Sequence, residues 1–113
     1  MHEISLCEGI LQILEEQGRE HGFTRVRAIW LEIGTLAAVE IEALRFSFEV
    51  VCRDTLAAGA ALHIEEVPGQ ARCLACAGEF SLSHRHAPCP RCGGYRLEVT
   101  GGDEMRIKEL EVE

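Results

Sequence analysis

The hydrophobic and polar positions in the first half of the chain predict two helices that alternate with two strands. From Ile4 the apolar residues recur every three or four positions, the period of a helix with one buried face. Thr24–Gly34 is rich in β-branched and aromatic residues, so it is predicted to be a strand. The helical period returns from Glu40, and a second strand is predicted over Ala61–Val67, ending at a Pro68-Gly69 turn.

The second half of the chain predicts a poorly hydrophobic insertion followed by a return to the sheet. Residues 71–97 carry few large apolar side chains, whereas Met105–Val112 alternates well enough to be a third strand of the sheet. The predicted fold class is therefore α+β with an α/β-like order: a small mixed three-stranded sheet, two helices and an inserted four-cysteine, zinc-ribbon-like module. Residues 1–70 and 98–113 form the predicted body, and residues 71–97 form the inserted module.

Two Cys-x-x-Cys pairs lie inside the insertion and are separated by twelve residues. Each pair presents two sulfurs to one ion, so Cys73, Cys76, Cys89 and Cys92 are predicted to hold a structural zinc. Metal binding would supply the folding free energy that this segment cannot obtain from an apolar core. Two disulfides, or an iron held by four thiolates, are the alternatives.

The remaining cysteines and the histidines between the two pairs have simpler explanations. Cys7 and Cys52 fall on the apolar faces of the two predicted helices, so both are expected to be small core residues. His84 and His86 are expected to be solvated loop residues, although either of them could replace a thiolate on the metal.

The charge balance and the lack of catalytic motifs narrow the function. Eleven basic and nineteen acidic residues give a net charge of −8, which disfavours nucleic acid as a partner. The sequence contains no apolar run of membrane-spanning length and no leader-like segment, so we expect no membrane association and a cytoplasmic location. An enzyme is not expected, since no catalytic constellation or phosphate-binding loop is recognisable and a zinc enclosed by four thiolates has no open position.

The amino terminus is a second candidate metal site. The terminal amine of Met1, the amide nitrogen of His2 and the His2 imidazole can chelate one ion, with the Glu3 amide nitrogen in a fourth position. Nitrogen donors in a plane suit Ni(II) or Cu(II) better than Zn(II). A frayed terminus with a solvated histidine is the alternative.

Five segments together resemble the HypA/HybF family of hydrogenase nickel-incorporation proteins. The resemblance runs essentially from end to end, and the Met-His-Glu start combined with a late double Cys-x-x-Cys is its most specific part. The segments are Met1–Leu6, Trp30–Gly34, Arg45–Glu49, the paired cysteines and Lys108–Glu113.

This resemblance implies a nickel metallochaperone that inserts Ni(II) into the large subunit of [NiFe]-hydrogenase. It places nickel on Met1, His2 and Glu3 with an acidic residue of the second helix, here Glu40, and it places structural zinc on the paired cysteines. The implied partners are a maturation GTPase of the HypB type and the hydrogenase large-subunit precursor. The chain itself would be a monomer or a weak homodimer. A zinc-ribbon protein-interaction module without a nickel function is the alternative.

Overall fold

The computed structural model describes residues 2–113 and contains two helices and two small three-stranded sheets. The elements are α1 (His2–His21), β1 (Val26–Gly34), α2 (Ile41–Val51), β2 (Ala61–Val67), β3 (Gly69–Cys73), β4 (Glu79–Leu82), β5 (Leu97–Gly101) and β6 (Met105–Val112). The strand order is β2-β1-β6 in one sheet and β4-β3-β5 in the other. The predicted fold class, two helices and a three-stranded sheet with an inserted cysteine module, is confirmed.

Residues 2–31, 39–64 and 107–113 form one compact unit. Within it α1 packs against α2, and Ile10 and Leu14 of α1 are buried together with Leu44 and Phe48 of α2. These positions lie three or four residues apart on each helix, as the apolar pattern predicts. Burial of these two apolar stripes against each other therefore explains why α1 and α2 pack as a pair.

Cys7 and Cys52 belong to the core of this unit, as predicted. Both thiols are buried, and Cys7 Sγ donates to the Leu44 carbonyl oxygen over 3.5 Å. Burial raises the pKa of Cys7 to about 11. Burial also raises the pKa of Cys52 to about 11, against a hydrogen bond with Thr55 that lowers it. Both thiols are therefore protonated and apolar in character near neutral pH.

Residues 32–38 and 65–106 form the second compact unit. The predicted turn at Pro68-Gly69 is wrong in its extent, because β3 begins at Gly69, directly after that proline. β3 pairs antiparallel with both β4 and β5. Its buried positions are Gly69, Ala71 and Cys73, whose small side chains carry little of the β-branched or aromatic signal that marks a strand.

The core of the second unit is small and includes a residue from outside the cysteine segment. Leu36 packs with Ala71 and Leu82, and four partly buried apolar side chains surround them: Phe80, Ala87, Leu97 and Val99. Leu74 and Tyr95, which are also apolar, are 51% and 74% exposed. The hydrophobic contribution of this core is therefore limited, which agrees with the expected need for a metal.

Backbone packs directly against backbone at one point of the second unit. The Leu36 amide donates to the Gly102 carbonyl oxygen over 2.9 Å, and Gly102 has a φ of 73°. A Cβ atom added at Gly34 would overlap the Gly102 carbonyl, and one added at Gly102 would overlap the Pro68 carbonyl. Glycine is therefore required at both positions by close approach of the chain.

Candidate metal centres

The four cysteines of the two Cys-x-x-Cys pairs converge on one point in the second unit. Their sulfur atoms all lie within 4.8 Å of one another. The Sγ atoms of Cys73 and Cys92 are 3.6 Å apart, and those of Cys76 and Cys89 are 3.8 Å apart. Four sulfurs at ~2.3 Å from a central zinc are ~3.8 Å apart in a tetrahedron, so the arrangement fits that ion. A disulfide, with sulfurs ~2.05 Å apart, does not fit these distances.

The two pairs sit in equivalent backbone loops. The Cys73 amide donates to the Gly78 carbonyl over 2.8 Å, and the Ala77 amide donates to the Cys73 carbonyl over 2.8 Å. The second loop repeats this pattern, since the Cys89 amide donates to Gly94 and the Gly93 amide donates to Cys89, again over 2.8 Å. Each loop therefore closes on its first cysteine and turns both sulfurs to the same side.

Both loops need one residue with positive φ in the same place. Ala77 has a φ of 61° and Gly93 has a φ of 74°, each being the residue directly after the second cysteine of its pair. This left-handed region favours glycine, and it raises the conformational energy of a residue with a Cβ atom. The first loop therefore carries a strain that the second loop avoids.

Backbone N–H groups make the sulfur cluster favourable for negative charge. The amide of Cys76 is the largest of the groups that lower the pKa of the Cys73 thiol, to about 6. The amide of Cys92 likewise lowers the pKa of Cys89, and the Arg91 amide donates to Cys89 Sγ over 3.4 Å. Thiolates are the form that binds a metal, so these amides assist metal binding.

The fourth thiol of the cluster behaves differently. The Gly94 amide lowers the pKa of Cys92, but the hydrogen bond with the Cys73 sulfur and burial raise it, to about 11 overall. Neighbouring sulfurs that share hydrogen bonds compete for protons in this way. The donor set therefore fits a dication, and zinc bound here would hold the two loops together without an open coordination position.

His84 and His86 are exposed and lie outside this cluster. Among residues 2–113, the four cysteines are the side chains of His, Cys, Asp or Glu whose ligand atoms lie close enough together to hold a metal ion. The geometry therefore agrees with the expectation that the two histidines are solvated loop residues.

Among the predicted nickel residues within the described chain, Glu3 contacts the His2 ring and the Glu40 backbone in the first unit, but the donor atoms of the three side chains do not form a metal-sized group. Helix α1 begins at His2, and Glu3 Oε2 accepts a hydrogen bond from the Glu40 amide over 3.2 Å, across 37 positions of sequence. The same oxygen lies 3.4 Å from His2 Nδ1. The Glu40 amide is the first of the groups that lower the pKa of Glu3. Met1, the remaining predicted ligand, lies outside the described residues.

Glu40 is the N-cap of α2. Its side chain accepts from the amide of Ala43 over 2.7 Å and from the amide of Glu42 over 3.4 Å. These bonds satisfy two donors that have no partner within the helix. The sequence predicted a carboxylate at the helix start, but it held no signal for the contact between Glu3 and the Glu40 backbone.

Comparison with known proteins places the chain in a family. A family profile described as "Hydrogenase/urease nickel incorporation, metallochaperone, hypA" matches residues 1–112. The chain belongs to the HypA family. The Hydrogenase maturation factor HypA of Azotobacter vinelandii is 59% identical to it over 113 residues, covering 100% of both chains. Hydrogenase maturation factor HypA 2 of Bradyrhizobium diazoefficiens is 53% identical over the same length and coverage.

Solved HypA structures share the fold. The solution structure of the Ni metallochaperone HypA from Helicobacter pylori superposes with a TM-score of 0.72 at 22% identity, covering 97% of this chain and 96% of that one. The matching profile describes the family as nickel metallochaperones for hydrogenase or urease. None of the helices formed by residues 2–113 has the length and hydrophobicity needed to cross a bilayer.

Proposed function

We propose that the chain carries Ni(II) at its amino terminus and helps to insert it into the large subunit of a [NiFe]-hydrogenase. The observation that supports this proposal is the hydrogen bond from the Glu40 amide to Glu3 Oε2, which lies beside the His2 ring where α1 and α2 both begin. That hydrogen bond joins two positions 37 residues apart in sequence and links the starts of the two helices. The full-length relatives that are named hydrogenase maturation factors favour hydrogenase as the destination.

The start of a helix suits a nickel site made of backbone nitrogens. The first four amides of a helix have no intrahelical acceptor, so those of His2 and Glu3 are available without breaking the helix ladder. A metal-bound amide nitrogen loses its proton to solvent and becomes negative, and the positive end of the helix dipole favours that charge. Met1 would add its terminal amine, and His2 would add its imidazole.

Glu40 would supply a carboxylate oxygen to the same ion. Its Oε1 makes the longer of the two capping bonds, at 3.4 Å to the Glu42 amide, whereas Oε2 holds the Ala43 amide at 2.7 Å. A carboxylate has lone pairs for more than one partner on each oxygen. Oε1 is therefore the oxygen that can turn to nickel while Oε2 keeps α2 capped.

The zinc centre would have a structural role in this account. Residues 71–97 would form a metal-stabilised module on Cys73, Cys76, Cys89 and Cys92, and residues 1–70 and 98–113 would form the nickel-binding body. Four thiolates around zinc leave no exchangeable position, which separates a permanent ion from a transient cargo. The free cysteines fit a reducing compartment, so we assign the protein to the cytoplasm.

Release of the cargo would need partners. The sequence has no glycine-rich phosphate-binding loop, so GTP hydrolysis would belong to a separate maturation GTPase of the HypB type. That partner and the large-subunit precursor can approach a site at a chain terminus from its open side. A monomer or weak homodimer leaves this side accessible.

Nickel titration of three proteins tests the proposal: the native chain, His2→Ala and a version with a few residues added before Met1. The extension keeps every side chain and removes only the terminal amine. We expect both altered proteins to bind Ni(II) at least tenfold more weakly, since each loses one ligand of the chelate. Equal dissociation constants for all three would contradict the terminal site and favour the alternative, a zinc-ribbon interaction module without nickel.

A further inference from the structure

The Glu3 carboxylate accepts a backbone hydrogen bond from the start of α2 and is little exposed. One atom, Oε2, receives the Glu40 amide at 3.2 Å and lies 3.4 Å from His2 Nδ1. The Glu3 side chain is 12% exposed, whereas that of His2 is 57% exposed. The carboxylate is therefore turned toward the protein, and the imidazole beside it is open to solvent.

We infer that the Glu3 carboxylate is a positioning group for nickel and that it acts through the Glu40 backbone instead of binding the ion. This inference rests on the proposed terminal nickel site. In it, Glu3 contributes its amide nitrogen to the metal, while its side chain fixes the first turn of α1 against the N-cap of α2. Without that link the first turn of α1 would be held less firmly against the start of α2.

The ring nitrogen of His2 that faces Glu3 is also the one that a nickel chelate would use. A chelate between the His2 amide nitrogen and its own ring closes through Nδ1 in a six-membered ring, and Nδ1 is the atom that lies near Oε2. Nickel would take Nδ1 and displace this long contact. The Glu40 amide would keep its bond to Oε2, so the link between the helices would persist when the metal is bound.

Three substitutions separate positioning from ligation. Glu3→Gln keeps an acceptor oxygen of the same reach but is a much poorer nickel ligand, and Glu3→Ala removes the acceptor. Glu8→Ala is the control, because it removes a glutamate from the exposed face of the same helix. Nickel dissociation constants would be measured by calorimetry on the zinc-loaded full chain.

We expect Glu3→Ala to weaken Ni(II) binding roughly tenfold, the lower end for losing a hydrogen bond to a charged group, and Glu3→Gln to stay within about twofold of the native protein. Glu8→Ala should have no effect. X-ray absorption at the nickel edge should give the same number of nitrogen and oxygen neighbours in Glu3→Gln as in the native chain. In amide NMR spectra the Glu40 amide should keep its hydrogen-bonded shift in Glu3→Gln and lose it in Glu3→Ala.

Two results would overturn the inference. If Glu3→Gln binds as weakly as Glu3→Ala and loses one oxygen neighbour, the carboxylate is a ligand. If Glu3→Ala binds as tightly as the native chain, the carboxylate has no role. His2→Ala measured in parallel separates this from the proposed function, because unchanged binding in His2→Ala removes the terminal site whatever Glu3 does.

Discussion

Ala77 is the residue whose replacement most directly tests the geometry of the zinc loops. Its φ of 61° places it in the left-handed region, whereas the equivalent residue of the second loop, Gly93, is a glycine with a φ of 74°. A residue with a Cβ atom pays about 1–2 kcal/mol for this conformation, and glycine loses about 0.5–1 kcal/mol more backbone entropy than alanine. The net expectation is that Ala77→Gly stabilises the zinc-bound loop by about 0.5–1 kcal/mol.

The reverse change, at the equivalent position of the second loop, should have the opposite effect on the stability of the zinc-bound loop. A Cβ atom added at Gly93 meets no heavy atom within 4 Å, so Gly93→Ala is unfavourable only through its backbone conformation. It should destabilise the zinc-bound loop by about 0.5–1 kcal/mol. Ala75 lies between the cysteines of the first pair and is outside the residues of positive φ, so Ala75→Gly is the control and should not stabilise.

Competition with a chromophoric zinc chelator would measure these changes, because the metal and the folded loop form together. Zinc affinity should rise about two- to fivefold in Ala77→Gly and fall by a similar factor in Gly93→Ala. The reasoning is refuted if both variants change affinity in the same direction, or if Ala75→Gly raises it as much as Ala77→Gly does.

Four further predictions test other parts of the structure. Gly34→Ala should lower the free energy of unfolding in urea by about 3 kcal/mol, because its Cβ atom would overlap the Gly102 backbone, which has little room to move; a loss below about 1 kcal/mol would show that the close approach is wrong. Glu40→Ala should cost about 0.5–1 kcal/mol through loss of the α2 cap, and Glu40→Ser, which retains a capping oxygen, should recover most of it; equal losses in the same urea titration would argue against capping. Cys7 and Cys52 should resist iodoacetamide at pH 8 until the protein is unfolded, since burial raises the pKa of both thiols to about 11. Labelling of either of these two thiols in the native protein, detected by mass spectrometry, would contradict this. Because these pKa values lie above the ~8.5 of an unfolded cysteine, the two thiols should add to stability below that pH, and this contribution should be lost as pH rises toward 11.

The elements that could be predicted from sequence are those with a strong hydrophobic period. Both helices carry an apolar stripe at every third or fourth position, and β1 is rich in Ile, Val and Trp. β3 could not be predicted, because its inward positions are Gly69, Ala71 and Cys73. Small residues form a strand here because they allow close packing against the neighbouring strands, and that is a tertiary effect.

The candidate sites divide in the same way. The spacing of the paired cysteines was sufficient to predict that four sulfurs converge, since each loop is a local structure. The resemblance to HypA proteins pointed to His2, Glu3 and Glu40, but the contact between the Glu3 carboxylate and the Glu40 amide depends on how α1 packs on α2. A contact across 37 residues has no local pattern from which a single sequence could predict it.

The separation of two metals by donor type is the central claim, and X-ray absorption at the nickel edge tests it most directly. The zinc-loaded full chain would be given one equivalent of Ni(II) near neutral pH. The account predicts nitrogen and oxygen neighbours around nickel, an imidazole signature that disappears in His2→Ala, and zinc that retains four sulfurs. Sulfur neighbours around nickel, accompanied by release of zinc, would contradict it.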